Sequence, residues 1–503
     1  MSKPEQFSNR WGIILASLGM AIGAGNLWRF PRLAGQYGGT FILLWILFLF
    51  IWSIPLLLAE FSIGKKFKNG VIGSYAQIAG KQYTWLGFFI TICTLGIAFY
   101  YSVVTSWALQ YLGFAVVNAL DPIFSEPTLA EKLTANPMHL DQYWDFVANG
   151  NWLTIALYIL VTIVGVFMLS RGIKRGLEKA NRILIPSLFI LLIIITFIAL
   201  NMENGFKGLE YMFTINWSHF RNPTVWIEAL SQSAWSTGAG WGLMMTISAY
   251  SRDNEDVTLN TFIGAFGNNT ASLMAGMAVL PAVFALSASS EEAITYLQAG
   301  NQALTFTVIP KLFAYIPGGS LLSIVFFLAL FLAAFSSLLP MIELFTKNLM
   351  DLGISRKKSA IRVILFFIIF GLPSAYSLDY FSNQDWVWGI GLILTGLFIL
   401  LAVAKYGITK FKTELIDADA DFKVSTTYFR VCIIANLIIG VFLIYWWMSQ
   451  GYSTNPWFDD NGLWNVFDVY SNASIVTQWG LVLLIGFLLN KYLYDKFANK
   501  EEL

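Results

Sequence analysis

The stretch AIGAGNLWRFP (residues 21–31) interrupts an apolar run and places two glycines, an asparagine, an arginine and a proline within eleven residues. A helix unwound in hydrocarbon leaves amide and carbonyl groups unpaired, each at a cost on the order of several kcal/mol. Such a break persists where something polar uses those groups. Carbonyl oxygens grouped with hydroxyl and amide side chains form an oxygen-only cage suited to an alkali cation. Amides at the N-terminus of a half-helix suit a carboxylate. Arg29 adds weight, because it precedes Phe30-Pro31 and lies short of any basic loop, and charge inside a membrane marks function.

The membrane itself is read from composition. The 503 residues are 57% hydrophobic and 12% charged, with a mean hydropathy of +0.63; a soluble domain carries roughly 25% charged residues. Apolar runs recur at 41–59, 152–169, 183–200, 321–339, 363–372, 386–404, 431–447 and 475–489, most near the ~20 residues a spanning helix needs. They lack the two-residue alternation of barrel strands. The fold class expected is an all-α polytopic membrane protein.

Charge placement orients it. Lys65, Lys66, Lys68 and Lys81, then Arg171, Lys174, Arg175, Lys179 and Arg182, then Arg356, Lys357, Lys358 and Arg362, then Lys405, Lys410, Lys412 and Lys423 fall in alternate loops, while the opposite loops carry Asp121, Glu126, Asp141, Asp459 and Asp468. Basic loops stay cytoplasmic, which puts both termini inside and gives twelve crossings. A net charge of +1 points to no nucleic-acid partner. Cys93 and Cys432 fall in expected spans and imply no exterior disulfide. MSKPEQF has no signal-peptide core, so the first crossing is expected to serve as its own insertion signal.

A second break is written in SQSAWSTGAGWG (231–242), where Gly238, Gly240 and Gly242 alternate. Glycines in membrane helices commonly permit close packing. Two clusters in matching places of helices 1–5 and 6–10 instead point to a transporter of inverted repeats with a midplane site. The expected division is a cytoplasmic N-terminus at 1–10, a first repeat at 11–223, a second at 224–406, a cytoplasmic link at 407–427, helices 11 and 12 at 428–494 and a cytoplasmic tail at 495–503. Residues 287–319 read as short helical pieces broken by glycine and proline.

With GNLWRFP, SWALQYLG after Tyr100-Tyr101, the glycine-broken sixth span and Ser336-Ser337 in the eighth, the chain resembles the neurotransmitter:sodium symporter family, and within it the bacterial amino-acid members. The resemblance runs from about Gln6 to the twelfth span. It implies a first sodium site from the Ala21 carbonyl, Asn26, Ser236, Asn268 and a substrate carboxylate oxygen, and a second from carbonyls of Gly19, Ile22 and Ala333 with the hydroxyls of Ser336 and Ser337. The substrate carboxylate would meet the amides near Gly23 and Gly25 and the Tyr101 hydroxyl. Monoamine members carry an aspartate where Gly23 stands, so a substrate with its own carboxylate is implied. Its side chain would lie among Met20, Ile97, Val104, Trp235, Gly238, Trp241, Ser337 and Met341. That pocket has no ionisable group and favours neutral hydrophobic or aromatic amino acids.

The resemblance also implies gates: Arg29 and Asp385 paired through water, Tyr101 and Trp241 as an aromatic lid, and Tyr250 with Asp351 as a cytoplasmic latch. The family's N-terminal Arg-x-x-Trp reads Pro4-Glu5-Gln6-Phe7 here, with Lys3 before it, and lysine does not replace a bidentate arginine. A chloride site would use Gln232, Ser236, Asn268 and Ser272, with Trp45 where relatives have tyrosine.

Other functions fit the residues less well. The only histidines, His139 and His219, fall in exterior loops, and no span pairs two aspartates, so a membrane enzyme lacks its reactive groups. A channel would want a selectivity segment. A transporter-like sensor that binds without moving substrate stays open. The expected activity is sodium-coupled import of an amino acid across a bacterial inner membrane.

Overall fold

In a computed structural model the described residues are 5–298, 300–450 and 453–498. Among the described residues the regular structure is helical, with one isolated bridge between Phe458 and Trp464. Nine helices are long and apolar enough to cross a membrane among the described residues, ten if the bent pair Asn472–Leu488 and Asn490–Phe497 is one crossing. The two broken segments lie outside this count because their pieces are individually too short.

The first break lies where the glycines put it. The helix Arg10–Ala21 stops as Ile22 turns to ψ 97 and Gly23 extends at φ −121, ψ −172, and the chain resumes helix at Ala24–Leu27. The helix Arg29–Phe48 then folds over at Gly38 (φ 59, ψ −149), where the first crossing ends and the second begins. A β-carbon at Gly38 would stand 2.8 Å from the Thr214 carbonyl oxygen, so this left-handed corner admits only glycine.

The second break follows the same chemistry. The helix Pro223–Thr237 ends at Gly238, and Gly238, Gly240 and Gly242 take φ of 69, 96 and 76 before Leu243–Ser248 resumes. Three alternating positive φ values within five residues require residues without a β-carbon. The expected class, all-α with discontinuous first and sixth helices, is the one observed.

Two long unbroken helices, Thr84–Leu120 and Gly319–Asp351, pack against each other along their length. Arg10–Ala21 lies against Gly319–Asp351 on one side and against Val257–Leu286 on another. Along the middles of Lys179–Asn201 and Thr426–Met448 apolar residues are exposed (Ile183, Ile190, Ile193 and Phe197; Val431, Ile434, Ile438 and Val441). Spaced three, four or seven apart, they share one face of each helix and face hydrocarbon. Residues 287–319 form the expected short pieces, Ser290–Leu297, Asn301–Ala303 and Ile309–Ala314.

Candidate functional site

The first break brings its oxygens to two points, one against the helix Gly319–Asp351 and the other against the end of Pro223–Thr237 and the middle of Val257–Leu286. At the first, the Ser337 hydroxyl lies 3.0 Å from the Gly19 carbonyl, 3.2 Å from that of Met20 and 3.1 Å from that of Ile22. Ser336 Oγ is 3.4 Å from the Ile22 oxygen and 3.0 Å from that of Ala333. A serine in a helix ordinarily bonds back to its own backbone. Ser336 does so, but Ser337 reaches across to the broken helix, so all five residues expected at the second sodium site converge.

At the other point, Asn26 Oδ1 accepts the Gly23 amide at 2.9 Å. That fixes its nitrogen as donor, to Ser272 Oγ at 2.7 Å and to Asn268 Oδ1 at 2.8 Å. Asn268 therefore presents oxygen, and this oxygen lies 3.1 Å from the Ala21 carbonyl and 2.9 Å from that of Ser236. Turning the Asn268 amide would satisfy both carbonyls but set two NH2 groups against each other. An oxygen among oxygens is what a cation holds together. Asn26, Ser236, Asn268 and Ala21 are thus gathered as the sequence led us to expect.

Above these clusters opens a cavity of about 410 Å³, lined by Met20, Ala21, Gly23, Gly25, Tyr101, Val104, Trp235, Ser236, Trp241, Ser337 and Met341. The Tyr101 hydroxyl accepts the Ala24 amide at 2.9 Å. A methyl on Gly25 would meet nothing within 4 Å, so this part of the break stays open to the cavity. Trp235 and Trp241 meet edge to face at 5.2 Å. Two expected lining residues are absent from the wall. Ile97 is fully buried behind it, and the space beside Gly238 is taken by the Met20 Cε, 3.3 Å from where a β-carbon would stand. Gly238 therefore makes room for Met20 rather than for a ligand.

Of the expected gate residues, Arg29 and Asp385 line the same cavity and interact electrostatically, and Arg29 also pairs directly with Glu228 at 2.9 Å and with Ser231 at 2.9 Å. In the expected latch, Tyr250 does not meet Asp351. Asp351 is held by Lys347 at 2.7 Å and by the Gly70 amide at 2.5 Å, whereas Tyr250 donates to Glu343 at 2.5 Å. Arg356 grips the same Glu343 and also Glu5. Lys3 and Pro4 lie outside the described residues; Phe7 is buried and donates its amide to the Tyr250 carbonyl at 3.1 Å.

One further residue was missed from sequence. Glu60, fully buried in Ile54–Phe67, accepts the Gly240 amide at 2.6 Å and the Met245 amide at 3.4 Å. It satisfies donors that the sixth helix loses at its break; a lone acid in an apolar run was the available signal. Of the expected chloride ligands, the Trp45 indole nitrogen and both polar atoms of the Gln232 amide are buried without a hydrogen-bond partner, while Ser272 receives Asn26.

Comparison with known proteins places this geometry. The sodium:neurotransmitter symporter family matches residues 4–124 and 128–494, and the chain belongs to that family, one of membrane transporters and not of enzymes. An uncharacterized sodium-dependent transporter of Methanocaldococcus jannaschii is 31% identical over 82% of this chain and 84% of its own length. The sodium-dependent transporter YhdH of Bacillus subtilis, also uncharacterized, is 26% identical over 88% of this chain and 97% of its own. Among solved structures, the crystal structure of MhsT in complex with L-phenylalanine aligns with a TM-score of 0.74 and 27% identity, covering 88% of this chain and 99% of that one.

Proposed function

We propose that the chain is a sodium-driven importer of a neutral, hydrophobic or aromatic amino acid, working by alternating access in the inner membrane with both termini cytoplasmic. In this reading 11–223 and 224–406 are the inverted repeats of a twelve-crossing protein. The carrying observation is the convergence of Ser336 and Ser337 on the carbonyls of Gly19, Met20 and Ile22. A second sodium would join Ala21, Asn26, Ser236 and Asn268, sharing an oxygen with the substrate carboxylate. Sharing makes the two bind cooperatively, and linkage makes the effect reciprocal.

The substrate reading rests on the wall of Val104, Met20, Met341 and the two tryptophans, and it is supported by the phenylalanine held by MhsT. The cavity is also lined by Arg29, Arg32, Glu228 and Asp385, but a charged side chain packed against this apolar wall would lie unpaired at high cost. A chloride ion would find unpartnered N–H donors at Trp45 and Gln232.

A thermal-shift panel of the twenty amino acids in sodium or potassium, with and without chloride, reads substrate and ion together, since a ligand of the native state raises apparent stability. The expected result is stabilisation by neutral amino acids in sodium and not in potassium. Counterflow in proteoliposomes must accompany it: binding without exchange overturns transport in favour of a sensor.

A further inference from the structure

In this family resemblance the cytoplasmic latch joins an N-terminal arginine to an acid at the position of Asp351; here Pro4 stands where the arginine would, and Lys347 holds Asp351. Arg356, at the start of the helix Arg356–Phe366, is 9% exposed in its side chain and uses its guanidinium as two forks. One fork meets Glu5, with Nε 2.9 Å from Oε1 and Nη2 2.5 Å from Oε2. The other meets Glu343, with Nη1 2.8 Å from Oε2 and Nη2 2.9 Å from Oε1. Nη1 also donates to the Leu169 carbonyl at 3.1 Å, and Nη2 to the Tyr250 hydroxyl at 3.3 Å.

We infer that the inner gate of this protein has reversed polarity: a mobile acid, Glu5, on the N-terminal strap closes onto a fixed cation, Arg356, held permanently by Glu343. The inference rests on the transport reading above. Its physical basis is the difference between the two acids. Glu343 is fully buried, while the Glu5 side chain is 34% exposed. Losing the only partner of a buried charge is strongly unfavourable, whereas an acid at the rim can return to water. Opening toward the cytoplasm moves the strap that carries Glu5. Arg356 then keeps Glu343, Tyr250 and the Leu169 carbonyl, so no buried ion is stranded. A bidentate fork is also directional, so the gate closes in one register.

The strap carries further contacts that must release with Glu5. The Ser8 amide donates to Glu178 at 2.9 Å, and Arg10 reaches Glu255 at 3.3 Å. Arg356 is the contact that joins the strap to the fourth, sixth, eighth and ninth crossings at once.

The test places a reporter cysteine at Ser17, which is 1% exposed and faces Met244 on the inner half of the sixth helix, in a Cys93→Ser/Cys432→Ser background. Maleimide labelling is measured in sodium-containing proteoliposomes from the cytoplasmic side. Glu5→Gln is expected to raise the labelling rate on the order of tenfold, and Glu5→Arg to raise it further. The double exchange Glu5→Arg/Arg356→Glu is expected to return it toward the parent, because the cation now carried by the strap would face two acids. Unchanged labelling in Glu5→Gln overturns the inference, as does a double exchange that labels as fast as Glu5→Arg. Sodium-dependent uptake by the parent in the same vesicles reports on the transport reading separately.

Discussion

Glu60 and Gly240 join two crossings through one short bond: the carboxylate on the second crossing accepts, at 2.6 Å, an amide that the break in the sixth has set free. The apolar run that carries Glu60 thus supplies what the glycine turn lacks. Replacing Glu60 with Gln keeps the shape but turns an NH2 group toward backbone donors. Glu60→Gln is expected to lose about 1–3 kcal/mol of stability, read as a lowered melting temperature in detergent, together with transport. A melting temperature unchanged from the parent would remove this role.

The Asn26 side chain bonds three residues, Gly23 through its amide, Asn268 and Ser272. Asn26→Leu is expected to abolish sodium-dependent uptake while the protein still inserts and purifies as a single species. Uptake that keeps its sodium dependence would dismiss the first ion site.

Gly23 offers a test with a built-in control. A β-carbon there would stand 2.6 Å from the Tyr101 hydroxyl and 2.9 Å from Ser337 Oγ, so any side chain disturbs the site. Gly23→Ala measures that steric part, and Gly23→Asp adds repulsion of a substrate carboxylate. Amino-acid affinity is expected to fall in the order parent, Ala, Asp, with a further loss of tenfold or more in the last step, about 1.4 kcal/mol. Equal affinities for the two variants would argue against carboxylate recognition at this point.

Met20 fills the notch left by Gly238. Met20→Ala is expected to enlarge the cavity and shift preference toward bulkier aromatic amino acids in competition assays. Gly238→Ala forces a positive φ on alanine and crowds Met20, and is expected to lower stability by about 1 kcal/mol. A preference order unmoved by Met20→Ala would mean this methionine does not set pocket size.

Much of the fold was legible because its decisive features are local. Alternating glycines at 238, 240 and 242 leave few backbone options, and the sodium-site residues come as short motifs. The gates were less legible because they depend on which side chains meet in space. Arg29 had Asp385 as its expected partner, yet Glu228 at the outer end of Pro223–Thr237 reaches it directly. Asp351 carried a readable warning, since Lys347 stands four residues earlier on the same helix face. Glu5 and Arg356 are far apart in sequence, and nothing local announces their pairing. Met20 and Gly238 belong to different breaks, so the occupant of that notch followed only from packing.

The way the first helix ends has a mechanical consequence. The last amide of Arg10–Ala21 to find a backbone partner is that of Ile22, to the Leu18 oxygen at 2.8 Å; the next, Gly23, is held by a side chain. A twelve-residue lever can therefore pivot at this joint without tearing any of its own ladder bonds. Rocking the inner half of the crossing is resisted by what clasps its far tip, not by backbone stiffness at the hinge.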